Sequence, residues 1–197
     1  MVLVYAVIFL IILALLLRRD LSAIGRISYR GGWRLAAIVA GLFILQAMIV
    51  IYAPGQTAFQ MALLVLSQIA LVFLLLLNHH VPGAKLFALG IILNTTVMVA
   101  NGGWMPVTPE IHHFVHPDRA VSVQARPLGS KGIILPRTET RLWILSDIIR
   151  ITLPWRRYAI SIGDLLLILG AAQFIFQPAS RISLPNSAIG EDVRRGT

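Results

Sequence analysis

Asp147 and Asp164 are the residues of this chain best suited to carry chemistry. Brought into contact, two carboxylates share one proton, because like charges cannot both ionise there. One then serves as base and the other as acid, the arrangement that activates water for peptide hydrolysis. Asp164 falls, by helical rise, about 9 Å inside an apolar run from Tyr158 to Phe176, where an ionised carboxylate needs a partner or water. Arg150, Arg156, Asn101 and the Ser161 hydroxyl one turn back are its candidate partners. Arg150 also lies within one helical turn of Asp147, and a simple ion pair between them is the alternative to a dyad.

Asn94, Thr95 and Asn101 add amides and a hydroxyl to the preceding apolar run, with Asn94 and Asn101 two helical turns apart on one face. They suit interhelical hydrogen bonds or a pocket for a lipid headgroup. Asn101-Gly102-Gly103 ends that run with residues tolerant of positive φ, which folds Trp104, Met105 and Pro106 back over the membrane surface. His112, His113 and His116 form a weak metal-like cluster with Glu110 and Asp118. With no HExxH helix and no cysteine, no metal and no cofactor is expected.

Elements that could position these groups are dictated by five apolar runs, about 1–17, 35–53, 58–77, 86–101 and 158–176. A chain of 197 residues that is 57% hydrophobic and 13% charged cannot hide that surface as one soluble domain. The expected fold class is an all-α integral membrane protein, a single membrane domain with a five-span helical bundle and the lipid bilayer as its solvent. Between the last two spans lies a polar loop, 102–140, in which Thr108-Pro109-Glu110 starts a short helix. Residues 141–154 then read as an interfacial or re-entrant helix ended by Pro154. Its twelve apolar-rich residues cover only about 18 Å, and Trp143, Ser146, Asp147 and Arg150 share one of its faces.

Arg18, Arg19, Arg26, Arg30 and Arg34 against a single Asp20 mark the first loop as cytoplasmic, which puts the N-terminus outside and the C-terminus inside the cell. Arg18 and Arg19 follow the first run instead of preceding it, as in a retained anchor and not a signal peptide. Trp33, Trp104, Trp143 and Trp155 flank the runs as an aromatic belt. Ala36, Ala37, Ala40 and Gly41 give the second span a small-residue face for close packing or for a homo- or hetero-oligomer. The formal charge of +9 lies beside the runs and not in an aromatic-interleaved stripe, so no nucleic acid is expected as a partner.

The segments Asn101-Gly102-Gly103-Trp104-Met105-Pro106-Val107, Pro109-Glu110, Gly129-Ser130-Lys131, Thr138-Glu139-Thr140, Leu145-Ser146-Asp147 and Ser161-Ile162-Gly163-Asp164 resemble, in order, a bacterial family of multi-spanning membrane proteins, domain of unknown function 5317. The resemblance implies a multi-pass protein of the cytoplasmic membrane and marks those residues, but it supplies no reaction. A fainter similarity of the C-terminal half is to lipoprotein signal peptidase. It rests on Arg141 to Asp147 and on Ile162-Gly163-Asp164 ahead of an apolar run reaching Gly170. It implies catalytic roles for Asp147 and Asp164, although that family's Asn and Asp-Arg element ahead of the first aspartate has no counterpart here. The expectation is a non-enzymatic membrane component, with an intramembrane aspartyl peptidase as the alternative.

Overall fold

The computed structural model describes residues 2–52, 56–126 and 131–177. Met1, the 53–55 part of the second loop, Gly129-Ser130 and the C-terminal tail, with the expectations attached to them, lie outside the described residues. Helices coincide with the apolar runs: α1 (Val2–Leu16), α2 (Gly32–Tyr52), α3 (Ala58–Leu77), α4 (Ala84–Ala100) and α6 (Ile162–Phe176), with the short α5 (Pro109–Val115) between the last two. Local signals set their ends. Thr57 and Gln60 close a capping box on α3, and Thr108 caps α5 ahead of Pro109, as its sequence predicts. The helices pack as a row, α2 on α3, α3 on α4, α4 on α6 and α6 on α1.

Glycines make the α4–α6 contact close. A Cβ on Gly90 would stand 2.6 Å from the Gly163 carbonyl, and one on Gly83 would overlap the carbonyl of Gly170. The two pairs repeat at a seven-residue interval along both antiparallel segments, so backbone meets backbone over two turns. In the α2–α3 contact the buried Ser67 hydroxyl donates to Gln46 Oε1, which also accepts from Gln68 Nε2 at 3.3 Å. The sequence marks neither glutamine as a site: Gln46 is isolated in its apolar run, and Gln68 shares its own with Gln60 and Ser67. The small-residue face of α2 is not consumed by this packing: Ala37 and Ala40 are exposed, and Gly41 has open space around it.

Among the described residues two helices, Gly32–Tyr52 and Ala58–Leu77, are long and apolar enough to cross a membrane, while Leu3–Leu16, Ala84–Ala100 and Ile162–Phe176 are shorter apolar helices. Only 18% and 17% of the apolar windows of α2 and α3 are buried within the protein, which is the reverse of a soluble core helix.

The described residues of 101–161 form a cap over one end of the bundle, and here the all-α expectation fails. Strands β1 (Met105–Val107) and β2 (Gly132–Ile134) pair in parallel, and β3 (Ile149–Leu153) and β4 (Arg156–Ile160) form an antiparallel hairpin across Pro154-Trp155. The interfacial helix over 141–154 is therefore absent. One 3-10 turn, Trp143–Leu145, leads into β3, whose Ile149-Arg150-Ile151-Thr152-Leu153 alternates with the period of a strand. The last helix begins at Ile162 and not at Tyr158, since Tyr158 to Ile160 belong to β4. Trp104 also departs from the belt. It is 1% exposed, packs with Val50, Leu64, Val97 and Ile133 where cap meets bundle, and lies beneath the Arg126 guanidinium at 4.5 Å.

Candidate functional site

At this junction Ser161 follows β4 and caps α6. Its hydroxyl accepts from the Asp164 backbone N–H at 3.0 Å, and the Asp164 carboxylate accepts from the Ser161 N–H at 3.3 Å. The pair is a capping box, so Asp164 stands in the first turn of α6, where a negative charge also meets the positive end of the helix dipole. It is not deep in a span, as a run starting at Tyr158 implied. Asn94 on α4 completes the arrangement: its Nδ2 donates to Asp164 Oδ1 at 3.0 Å and its Oδ1 accepts from the Ser161 hydroxyl at 2.8 Å. The amide reaches this position because Gly163 has no side chain. A Cβ there would overlap Asn94 Oδ1 and stand 2.7 Å from the Gly90 carbonyl.

Asp147 follows the 3-10 turn and the buried Ser146, whose hydroxyl donates to the Trp143 carbonyl at 2.6 Å. Its Oδ1 is enclosed and has no hydrogen-bond partner. Burial first, and then the Asp164 charge, push the Asp147 carboxyl up to about 8. Burial lowers the Lys131 ammonium, against which Asp164 pulls upward, although Lys131 as a residue is exposed. Asp147 and Lys131 are thus each near enough to Asp164 to feel its charge. Among the described residues neither aspartate is paired with an arginine. The expected Asp147–Arg150 ion pair fails because positions three apart share a face on a helix but oppose each other in extended chain. Arg150 turns instead to Phe114, whose ring it shares with Arg157 at 5.4 and 5.5 Å. Arg156 lies over Tyr158.

Asn101 belongs to a different construction. As the C-cap of α4 it donates to Val97 O at 2.8 Å, and its amide also clasps the Arg141 backbone, Nδ2 to Arg141 O at 2.8 Å and Arg141 N to Oδ1 at 2.9 Å. Gly102 and Gly103 have φ of 78° and 92° and turn the chain back, as read from sequence, so that Met105 and Pro106 enter β1. A Cβ on Gly103 would strike Met61. Thr95 Oγ1 is buried without a partner. Of the histidines, His112 is buried with both ring nitrogens unpartnered and its ring 5.4 Å from that of His116. Burial and then Arg119 lower both from the ordinary imidazole range. Among the described residues no group of three His, Cys, Asp or Glu side chains could hold a metal ion, His113 included.

A family model described as a family of unknown function, DUF5317, matches residues 26–176, which takes in α2 through α6 and every residue of this junction. An uncharacterised protein of Thermotoga maritima is 34% identical over 112 residues, 56% of this chain and 60% of the relative, so the match leaves a substantial part of the relative's length uncovered. No solved structure matches the chain.

Proposed function

Because the chain belongs to this family of unknown function, its own residues must supply a role, and we propose that it is a non-enzymatic component of a cell membrane. It crosses the bilayer five times and carries the cap 101–161 on the extracytoplasmic face. The outward apolar surface supports this reading. Ile8, Phe9 and Leu16 on α1, Ile38 and Ile44 on α2, and Phe59, Leu66 and Phe73 on α3 are exposed, and Leu89 and Val99 on α4 with Leu169 on α6 continue the belt. The 21 residues of α2 extend about 31 Å, the thickness of a hydrocarbon core. The 15 residues of α1 and of α6 reach about 22 Å and rely on flanking residues or local thinning. The basic first loop, at the bundle end opposite the cap, faces the cytoplasm.

The chain has no cysteine, so introduced ones report topology directly. Ser28→Cys in the first loop and Val121→Cys in the cap are separated by the three long helices α2, α3 and α4. A membrane-impermeant maleimide is expected to label Val121→Cys in intact cells and Ser28→Cys only after permeabilisation. Labelling of both from one side removes the five-span reading.

A second reading, an aspartyl hydrolase, is favoured by one observation: the enclosed, unpartnered Asp147 oxygen beside the charge of Asp164. In it Asp147 holds the proton and acts as acid, while Asp164 acts as base. Asp164→Asn separates the readings. As a structural anchor Asp164 supports the cap, and the variant is expected to lose thermal stability. Unchanged stability with lost processing of a membrane substrate places the hydrolase first.

A further inference from the structure

At the bundle end opposite the cap, a cleft of about 490 Å³ opens between the start of α2, the end of α3, the start of α4 and the end of α6. Its volume is that of a small-molecule pocket. Ala36, Leu74, Leu75, Phe87 and Phe174 make its walls apolar, and Arg30 stands at its rim. The position of Arg30 is built and not incidental. Asn78, a buried amide 48 residues away, accepts from the Arg30 N–H at 2.6 Å and donates to the Arg30 carbonyl at 3.1 Å and to Leu74 O at 2.9 Å. His80 Nε2 holds the same loop through the Ser28 carbonyl at 2.8 Å. Gly31 and Gly32, with φ of 93° and 62°, then turn the chain directly into α2, so the loop cannot swing from the rim.

All of this fixation acts on backbone. Among the described residues the Arg30 guanidinium has no carboxylate partner, and Asp20, the acid of that loop, bonds Ser22. An apolar trough with Arg30 in its lining, the backbone of that residue held and its guanidinium without a carboxylate partner among the described residues, matches a molecule with a hydrocarbon tail and an anionic head. Arg18, Arg19 and Arg34 add positive charge to the same end, and an anionic leaflet would meet them there.

We propose that this cleft binds an anionic phospholipid, its phosphate on Arg30 and one acyl chain along Leu74, Phe87 and Phe174. The proposal rests on the membrane reading, and retention of the protein in alkali-washed membranes tests that reading separately. The full chain, purified in detergent, is titrated with phosphatidylglycerol, phosphatidylcholine or oleate, with bound lipid counted by native mass spectrometry. Phosphatidylglycerol is expected to bind at least about tenfold more tightly than phosphatidylcholine, as a charge-assisted contact provides. Arg30→Gln is expected to abolish that preference and to fold normally, since Asn78 reads only the peptide. Arg34→Gln, on the exposed start of α2, keeps the preference. Ala36→Phe, an exposed position on the cleft wall, is expected to exclude both phospholipids. Equal binding of the two phospholipids overturns the proposal, as does a preference that survives Arg30→Gln. Tighter binding of oleate than of phosphatidylglycerol overturns it too, in favour of a free fatty acid.

Discussion

Gly163→Ala is expected to destabilise the protein by about 2–3 kcal/mol, the cost of forcing a methyl group into a closed contact. The new Cβ meets Asn94 Oδ1, the amide that joins α4 to the Ser161–Asp164 cap, and the Gly90 carbonyl behind it. Neither obstacle is the flexible end of a long side chain, so relief requires the helices to separate or Asn94 to leave Asp164 with one acceptor unfilled. Thermal unfolding in detergent reads the effect. Gly41→Ala on α2 is the control, because open space surrounds it and alanine there only improves helix propensity, by up to about 1 kcal/mol. Equal stability of Gly163→Ala and the parent would show that α4 and α6 do not meet at Gly90 and Gly163.

The second large effect concerns pH. In the unfolded chain Asp147 ionises near its ordinary value of 3.8, whereas in the folded protein it keeps its proton up to about 8. Between those values the folded state binds one proton more than the unfolded state, so this group makes stability fall as pH rises. The slope is at most about 1.4 kcal/mol per pH unit. His112 and His116 act in the opposite sense. Their folded values are lowered, the folded state binds fewer protons below about 6.5, and stability from them rises with pH in that range. The window from about pH 6.5 to 8 therefore leaves the histidines out and sets Asp147 against the lowered Lys131, which acts in the histidines' sense, so the difference between parent and an Asp147 variant is what reads Asp147. Asp147→Asn, which copies the protonated shape, is expected to match the parent only below about pH 3.8, to exceed its melting temperature increasingly from pH 5 to pH 8 and to flatten the decline between. Parallel pH profiles for parent and variant would remove the enclosed acid. If the junction is hydrolytic, the same variant gains stability at pH 8 while losing turnover, a combination that a purely structural residue does not produce.

How much of this was legible in the chain differs by element. The helices stand on apolar runs because hydropathy is a local property, and the starts of α3 and α5 follow from Thr57 with Gln60 and from Thr108 with Pro109. The start of α6 carries an equally local signal, Ser161 three residues before Asp164. The apolar Tyr158 to Ile160 ahead of it drew the span four residues too far back. In β3 two periods competed. Trp143, Ser146, Asp147 and Arg150 align on a helix, yet Ile149, Ile151 and Leu153 alternate with Arg150 and Thr152, and the alternation won once Pro154-Trp155 closed a hairpin. The three-residue strands β1 and β2 have no local signature at all, since their pairing joins Met105 to Gly132 across the intervening α5. Within the junction Asp147 and Asp164 were recognisable as residue types, and Asn94 as an amide within an apolar run. Their mutual arrangement depends on Gly163 passing Gly90 and Asn94, which is a tertiary fact.

The two asparagine clasps have a kinetic consequence. Asn78 and Asn101 end consecutive long helices, and each bonds both edges of an arginine peptide far away in the chain, Arg30 across α2 and α3, Arg141 across β1, α5 and β2. Neither clasp gains its bonds until everything between its two ends has folded and docked, so both close late and their loop-closure entropy is lost only at that stage. They act as latches on a finished assembly, one at each end of the bundle. Opening either one frees backbone groups of the segment it holds, the first loop at Arg30 or the cap at Arg141, as a local event.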